Sequence, residues 1–393
     1  MPGWELIDNK EKRAINNLFK FPKVGIKKPI FYNNLKVKEF EYKFAKYVNS
    51  KYAICVTSGT AAIKIALLAA GVKPNDEVIT QSFTFIAVIE AIVDVGAIPV
   101  VTEVDETLNM CPKDLNKKIT KKTKAILPVH MLGVSAEIDK IKKIASRKNI
   151  VVIDDNCEAL GSKWKGKTLG NQFDMCAWSF DSGKTITTGE GGMITTNQKK
   201  FYKFCIEYRD HGHENNPKYP RGRDTHSIYG FNYRVSEIVG ALGLVQLQKL
   251  PTVVKNNKNR YKIYEDVLKK YSSLKLRKIP KNNIPLKDCI IFNLKNKTIA
   301  NRILLEIKNN NIVTKNLPDA IEWHFAKYWD HIFKKYKITK KQLLNNFPKS
   351  SDYLERSIAI FIYTTEKLSE VTKKAKILDN ILKLSLNEKK IKK

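Results

Sequence analysis

Short apolar runs alternate with helix-period segments between about residues 35 and 250 of the chain. The strand-like runs are residues 53–56, 77–80, 99–101, 125–129, 150–153, 175–180 and 193–196. Apolar residues at helical spacing, as in residues 61–70 and 87–93, separate the first of these runs. Strands that lack polar alternation are typical of a sheet buried on both faces. The pattern therefore predicts an α/β fold, with a mostly parallel sheet flanked by helices.

The amino-acid composition of the chain changes after residue 252. Segments rich in lysine and asparagine, such as residues 255–260, indicate a long helix that connects to a second unit. A chain of 393 residues also exceeds the length that one hydrophobic core usually supports. We therefore predict a large domain at residues 35–252 and a smaller α/β domain at residues 253–393. Residues 1–34 are expected to pack on the smaller domain.

The formal charge of +32 raises the question of a nucleic-acid partner, since phosphate contacts give basic proteins affinity for nucleic acids. However, 61 of the 71 basic residues are lysines, and they are spread along the chain rather than gathered in a stripe. The sequence has no zinc-finger cysteine spacing, RNP-like aromatic motif or basic-region heptads. We expect no nucleic-acid partner, and a non-catalytic nucleic-acid-binding protein stays a distant alternative.

The six cysteines are scattered without a C-x-x-C pair, and most lie in apolar runs typical of buried free thiols. A reducing cytoplasm fits that usage. The first residues lack the apolar core of a signal peptide, and the longest apolar stretch, residues 86–101, is interrupted by acids, glycine and proline. We therefore expect a cytoplasmic protein without membrane insertion.

Lys184 follows the strand-like run at residues 175–180 and precedes a glycine-rich turn, GEGG at residues 189–192. A lysine becomes a Schiff-base nucleophile when its amine is partly desolvated and its pKa is lowered. A position at the end of a strand, backed by a tight turn, would allow this change. Spacing alone leaves open that Lys184 is an ordinary surface lysine.

Two acids, Asp154 and Asp155, end the apolar run at residues 150–153, where parallel-sheet proteins place ligand sites. A buried carboxylate there can keep a pyridine nitrogen protonated and so make a cofactor ring an electron sink. Metal binding with nearby Glu158 is the rival use, but no histidine pair accompanies these acids, so we expect no metal. A plain helix N-cap is the structural alternative.

The small residues TSGTAA at positions 57–62 form a turn at a predicted helix start. Free backbone N–H groups and the helix dipole suit a phosphate-sized anion there, although ordinary capping explains the same residues. The Gly-Lys-Ser/Thr of a nucleotide-binding loop does not follow. Taken together, the three motifs supply a phosphate site, a partner for a ring nitrogen and an aldehyde-binding lysine on one sheet.

Six motifs stand in order along the chain. They are SGTA at residues 58–61, SFTFIA at 82–87, VHMLG at 129–133, DD at 154–155 with EALG at 158–161, the block at 179–192, and GFNYR at 230–234. This ordered set resembles the DegT/DnrJ/EryC1/StrS family of sugar aminotransferases, which are fold-type-I pyridoxal-phosphate enzymes. The resemblance covers about residues 35–250 almost without a gap.

The resemblance gives Lys184 the role of the lysine that forms a Schiff base with pyridoxal phosphate. It implies that Asp155 pairs with the pyridine nitrogen and that Phe85 stacks on the cofactor ring. Glu158 stands where the family often has a glutamine that contacts the ring hydroxyl. Outside the family, simple core packing would explain Phe85.

The resemblance further implies that Thr60, Ala61 and Ser179 hold the cofactor phosphate. Asn232 would reach the phosphate of the neighbouring subunit's cofactor, which implies a homodimer with shared active sites. A related branch of the family dehydrates sugars and carries histidine at the position of Lys184, so the lysine favours amino transfer. A non-catalytic scaffold on this fold is disfavoured because every cofactor position carries a suitable residue.

Two segments depart from the family pattern: DSG at residues 181–183 and a long polar stretch at residues 210–224. The polar stretch, Glu158 and WHFA at residues 323–326 resemble the subgroup that aminates C8 of a 3-deoxy-octulosonate. The candidate substrate residues are His211, His213, Arg221, Arg223 and His324, among which arginine suits a bidentate grip on a carboxylate. A structural loop or dimer contacts would explain the polar stretch equally well.

We therefore predict a pyridoxal-phosphate aminotransferase that moves an amino group from glutamate to a keto- or aldehyde-sugar in surface-polysaccharide biosynthesis. The favoured acceptor is C8 of a 3-deoxy-octulosonate, which would give an 8-amino sugar. The alternative is a nucleotide-linked 4-keto-6-deoxy sugar, as in perosamine formation. Glutamate is the family's usual donor, and no residue by itself identifies it.

Overall fold

The structure is a computed structural model that describes residues 3–20 and 35–386. Its strands are β1 Tyr52–Val56, β2 Glu77–Gln81, β3 Ile98–Thr102, β4 Thr123–Ile126, β5 Val151–Asp155, β6 Lys163–Trp164, β7 Lys167–Thr168, β8 Met175–Ser179, β9 Gly192–Thr196, β10 Lys275–Leu276, β11 Asn283–Ile284, β12 Cys289–Asn293 and β13 Ser357–Phe361. Its α-helices are α1 Asn9–Leu18, α2 Leu35–Tyr47, α3 Gly59–Ala69, α4 Ala87–Asp94, α5 Pro112–Lys118, α6 Ile138–Lys148, α7 Lys199–Tyr208, α8 Glu237–Leu268, α9 Lys297–Asn309, α10 Ile321–His324, α11 Asp330–Phe333, α12 Lys340–Asn346, α13 Pro348–Glu355 and α14 Leu368–Leu386.

A seven-stranded sheet forms the centre of the fold, in the order β1-β9-β8-β5-β4-β2-β3. Neighbouring strands are parallel except at β9, which runs antiparallel to both β1 and β8. Each of the seven apolar runs predicted as strands lies in this sheet. The predicted α/β fold with a mostly parallel sheet is confirmed, and β9 is the strand that makes it mixed.

Both faces of the sheet are covered by helices. On one face, Ile65 and Leu67 of α3 pack with Ile89 and Ile92 of α4 in the largest core. On the other face, aromatic side chains of α2 pack on β8, with the rings of Phe44 and Trp178 5.2 Å apart. This double coverage explains why the strands carry few polar residues.

Helix α8 is 32 residues long and passes from one hydrophobic core into another. Leu247 and Leu250 pack against the large sheet, whereas Tyr264 and Leu268 pack with the three-stranded sheet β10-β12-β13. The predicted boundary at residue 252 therefore falls inside a helix, next to its internal Pro251. The division into two domains stays a prediction.

Two segments pack elsewhere than on the domain to which the prediction assigns them. Phe325 and Trp329, beyond residue 253, are buried in the large core, and Thr84 N donates to His324 O at 2.9 Å. Near the N-terminus, α1 packs on α8, and Gly3 N donates to Lys184 O. Residues 3–20 also contact the loop before α14, through Glu5 and Thr365, whereas residues 1–2 and 21–34 of the predicted N-terminal segment lie outside the described residues. Long-range packing, which the apolar pattern does not encode, decides both placements.

Within residues 3–20 and 35–386, every helix is too short or too polar to cross a lipid bilayer.

Candidate active site

A cavity of about 400 Å³ lies where β1, β2, β4, β5 and β8 end, at the carboxyl edge of the sheet. Open α/β sheets bind ligands at this edge because loops and helix starts meet there. Seven of the predicted site residues line the cavity: Thr60, Phe85, Asp155, Glu158, Ser179, Lys184 and His324. The fold thus gathers residues that are up to 264 positions apart in the chain.

Lys184 lies inside this cavity with its Nζ 3.7 Å from Glu158 Oε1. Burial lowers the pKa of its amine, but the carboxylates of Glu158 and Asp155, together with Cys157, outweigh burial and raise that pKa. The surroundings of Lys184 thus raise the pKa of its amine, contrary to the lowered pKa expected from its position after a strand. A buried amine keeps its proton where nearby negative charge compensates the lost hydration.

Glu158 is fixed by the loop after β4. Its Oε2 accepts a hydrogen bond from Leu132 N at 3.1 Å, and Leu132 has a left-handed backbone with φ 51°. Burial would raise the pKa of the Glu158 carboxyl, but the positive charges of Lys184 and Lys315 and the hydrogen bond from Leu132 N lower it to about 2. Glu158 therefore stays ionised beside Lys184.

Asp154 and Asp155 point to opposite sides of β5 because successive strand residues alternate in direction. Asp155 lines the cavity and accepts from Cys157 N at 2.8 Å, and burial raises the pKa of its carboxyl. Asp154 instead meets His130 Nε2 at 3.2 Å and Asn156 Nδ2 at 2.6 Å in the core. Of the two adjacent acids, Asp155 belongs to the cavity and Asp154 to the framework.

The start of α3 borders the cavity next to the end of β8. Ser58 caps the helix through its Oγ, which accepts from Ala61 N at 3.0 Å. Gly59 permits the close approach of β8, since a Cβ there would lie 2.8 Å from Ser179 Cβ. Thr60 and Ser179 line the resulting recess, whereas Ala61 contributes through the capped turn. Backbone N–H groups at such a helix start suit a phosphate.

Phe85 and His324 form the wall opposite Lys184. The Phe85 side chain is 42% exposed, although it is large and apolar, and its ring lies 5.3 Å from the imidazole. His324 Nδ1 donates to Ala320 O at 2.7 Å, which leaves Nε2 as an acceptor. Burial lowers the pKa of His324, so the ring is held neutral. An exposed aromatic face inside a cavity is suited to stacking on a planar ligand.

Two further residues line the cavity that the sequence did not point to: Lys315 and Asn316. Lys315 forms a buried ion pair with Asp288, and this pair keeps the pKa of the lysine raised despite its burial. Both residues lie outside the motifs that the sequence analysis quotes. Lys315 is one of sixty-one lysines and carries no local signal, so the tertiary structure alone reveals it.

The remaining candidate residues lie outside the cavity, on residues 209–236. His211, Arg221, Arg223 and Asn232 are exposed and His213 is half-buried. Arg221 makes a bidentate ion pair with Asp210, at 2.6 and 2.5 Å. A single chain thus does not bring them to Lys184, and their predicted roles stay predictions.

The donor set of the cavity fits pyridoxal phosphate. The recess at the start of α3 matches a phosphate, the buried Asp155 carboxylate matches a ring nitrogen, and the Lys184 amine matches an aldehyde. Gly59 lets the start of α3 approach the end of β8 closely, and both Gly59 and Ser179 line the cavity. In the described part of the chain, no group of three or more His, Cys, Asp and Glu residues is placed to hold a metal ion.

This fold with these donors at the edge of its sheet is that of the fold-type-I pyridoxal-phosphate enzymes. The sequence profile of the DegT/DnrJ/EryC1/StrS aminotransferase family matches residues 26–377, and the chain belongs to this family. The predictions of the family, of its aminotransferase class and of its pyridoxal-phosphate cofactor are confirmed.

Three known proteins are similar to the chain. A GDP-perosamine synthase from Escherichia coli O157:H7 is 40% identical over 230 residues, which span 58% of this chain and 62% of that protein. A GDP-perosamine synthase from Vibrio cholerae is 29% identical over 327 residues, which span 82% of this chain and 84% of that protein. An aminotransferase from Psychrobacter cryohalolentis, solved by X-ray crystallography, superposes with a TM-score of 0.85 at 26% identity, covering 97% of this chain and 98% of that one. The match to the E. coli protein spans less than two-thirds of its length.

We expect Glu158→Gln to lower the pKa of the Lys184 amine, because it removes the nearest negative charge while keeping the shape of the side chain. Trace acetylation of cofactor-free protein across a pH series, quantified on the Lys184 peptide by mass spectrometry, measures the midpoint. A downward shift of about one pH unit or more is expected for a buried pair. Glu106→Gln, at an exposed ion pair with Lys278, is the control. A midpoint equal to that of wild type contradicts the assignment.

Proposed function

We propose that the protein transfers the amino group of glutamate to a carbonyl-bearing sugar, with pyridoxal phosphate as cofactor. The observation that carries this proposal is the half-buried amine of Lys184 in one cavity with the buried carboxylate of Asp155. Membership of an aminotransferase family and two sugar-aminotransferase relatives support it. Lysine at position 184, where dehydrating relatives carry histidine, favours amino transfer.

Thr60, Ala61 and Ser179 would hold the cofactor phosphate, Asp155 its pyridine nitrogen, Phe85 one face of its ring, and Lys184 its aldehyde. When bound, pyridoxal phosphate stores the amino group between donor and acceptor and draws electrons from the reacting carbon. Asp155 would favour that withdrawal by keeping the ring nitrogen protonated. Its burial strengthens the interaction because little water screens the charge.

Lys184 would act as the base that takes a proton from the α-carbon of the donor. In the second half of the cycle it would deliver a proton to the sugar carbon. The Lys184 amine must lose its own proton to accept another one. Glu158 opposes that loss in the protein without ligand. Loss of the Glu158 charge would lower the pKa of the Lys184 amine toward the range that catalysis requires.

Replacing the lysine tests the activity directly. We expect the purified wild-type protein to show a visible cofactor absorbance band that glutamate bleaches. We expect Lys184→Ala to lose that band and at least about a thousandfold of the half-reaction rate, since it removes the covalent anchor and the base together. Lys315→Ala, which removes the neighbouring cavity lysine, should keep the band. No band in wild type, or an unchanged band in Lys184→Ala, contradicts the proposal.

We propose C8 of a 3-deoxy-octulosonate as the preferred acceptor. Glu158 and His324, the two cavity residues through which the chain resembles that subgroup, lie 166 positions apart and meet in one cavity. His324 offers a neutral acceptor nitrogen, which suits a sugar hydroxyl beside the reacting carbon. A nucleotide-linked 4-keto-6-deoxy sugar is the second candidate, because two relatives are GDP-perosamine synthases.

The acceptor is identified by reoxidation of the aminated cofactor. The enzyme is first treated with glutamate, which aminates the cofactor. It is then mixed with the 8-aldehyde of a 3-deoxy-octulosonate or with GDP-4-keto-6-deoxymannose. We expect the octulosonate aldehyde to restore the visible band at least about a hundredfold faster, a difference of roughly 3 kcal/mol in transition-state binding. Faster recovery with the nucleotide sugar reverses the assignment while leaving the aminotransferase proposal intact.

We also propose that two copies of the chain share their active sites. The residues that the single chain leaves outside its cavity, Asn232 among them, lie on one exposed loop beside Tyr229 and Phe231, whose side chains are 74% and 49% exposed. Exposed aromatic side chains gathered on one surface are typical of protein interfaces. A second copy of the chain would cover these aromatic side chains, and Asn232 of the first copy would then lie near the phosphate site of the second.

Shared sites predict complementation between inactive variants. Lys184→Ala and Asn232→Ala are each expected to be nearly inactive, because one lacks the base and the other the partner's phosphate contact. After the two are unfolded, mixed and refolded, half of the dimers are mixed and each contains one intact site, so about a quarter of wild-type activity should return. Refolding each variant alone is the control. No recovery in the mixture contradicts sites built from two chains.

A further inference from the structure

We infer that the N-terminal segment, residues 3–11, is a positioning element for Lys184, with Gly3 as the residue that makes the contact. This inference rests on the proposed function in that it concerns the same lysine. Gly3 N donates a hydrogen bond to the main-chain carbonyl of Lys184 at 2.6 Å. A residue 181 positions away in sequence thus holds the backbone from which the reactive side chain extends.

The contact between residue 3 and the carbonyl of Lys184 requires glycine, because no side chain fits at this position. Gly3 is buried, and a Cβ on it would lie 2.7 Å from Thr187 N and 2.8 Å from the carbonyl carbon of Ile186. These atoms belong to main chain, which cannot move aside as the end of a flexible side chain can. An alanine here would therefore push residues 184–187 away from the segment.

The segment is itself anchored on α8. Buried Glu11 accepts from Gln246 Nε2 at 2.8 Å and pairs with Lys249 at 2.7 Å. Gln246 in turn accepts from Thr187 N at 3.3 Å, so the same residue that holds Glu11 also holds the loop of Lys184. Lys249 also donates to Leu6 O. Gly3 and Gln246 thus both form hydrogen bonds with the main chain of the lysine loop, residues 184–187.

A second anchor joins the segment to the C-terminal part of the chain. Glu5 Oε2 accepts from Thr365 N at 3.1 Å and from Thr365 Oγ1 at 2.6 Å. Thr365 lies between β13 and α14, and Arg260 of α8 donates to the neighbouring Glu366 O at 2.8 Å. The segment therefore contacts both the loop of Lys184 and the loop before α14.

The consequence for Lys184 is a fixed distance to the charges around it. The groups that face its amine are Glu158, Asp155, Cys157, Lys315 and His324. None of the hydrogen bonds found in the described part of the chain restrains the Lys184 side chain, apart from the ion pair with Glu158 at 3.7 Å. Its backbone position therefore decides how close the amine stays to that carboxylate.

The test uses full-length Gly3→Ala, with Trp4→Ala as the matched control in the same turn, where the side chain is 57% exposed. Trace acetylation of Lys184 in cofactor-free protein gives a pH midpoint and a limiting rate at high pH. In Gly3→Ala we expect the midpoint to fall by about half a pH unit or more as Glu158 and the amine separate. We expect the limiting rate, and the rate of cofactor uptake, to change by about tenfold, whereas Trp4→Ala stays within about twofold.

Glu5→Ala is the second variant, since it releases the Thr365 anchor without adding atoms beside the lysine loop. It should shift the same two quantities in the same direction by a smaller amount. If Gly3→Ala unfolds, Glu5→Ala decides alone. A lowered melting temperature with a wild-type midpoint and rate, in whichever variant folds, would mean that the segment is merely structural and overturns the proposal. A wild-type protein that binds no cofactor would instead contradict the proposed function, and the acetylation result would still stand.

Discussion

The buried ion pair between Lys184 and Glu158 is the interaction on which the site depends. An amine taken out of water tends to lose its proton, and a carboxylate tends to gain one. Each group here opposes that tendency in the other: the pKa of Lys184 is raised and that of Glu158 falls to about 2. The charge of Glu158 therefore favours the protonated form of the Lys184 amine, and burial opposes it.

The architecture around this pair serves to hold two opposite charges in a cavity that also admits a ligand. Glu158 is fixed by Leu132 N, from the loop after β4, and Lys184 is fixed through its backbone by Gly3. The sheet brings the ends of β4, β5 and β8 together, and the C-terminal segment closes the opposite wall with His324 and Lys315. Four regions distant in sequence thus converge on Lys184.

The apolar pattern predicted the strands well because burial on both faces leaves a continuous trace in sequence. It predicted the site in part. Asp155, Glu158 and Lys184 lie at strand ends or in the turns that follow, where topology alone brings them to one edge of the sheet. Lys315 and Asn316 come from a loop whose contacts are long-range, and the packing of residues 325–329 on the large core is of the same kind. Neither contact carries a periodic signal, so the apolar pattern does not predict it.

By itself, the sequence determined the fold class and the family, and it predicted Lys184 as the lysine at which the chemistry takes place. These follow from local properties: burial of each strand, the small residues of the turns, and the order of the motifs. The tertiary structure decided the charge state of that lysine, the separate roles of Asp154 and Asp155, and the contact of Gly3 with residue 184. A pKa depends on the sum of burial and nearby charges, and these charges come from residues that only folding brings within a few ångströms of Lys184.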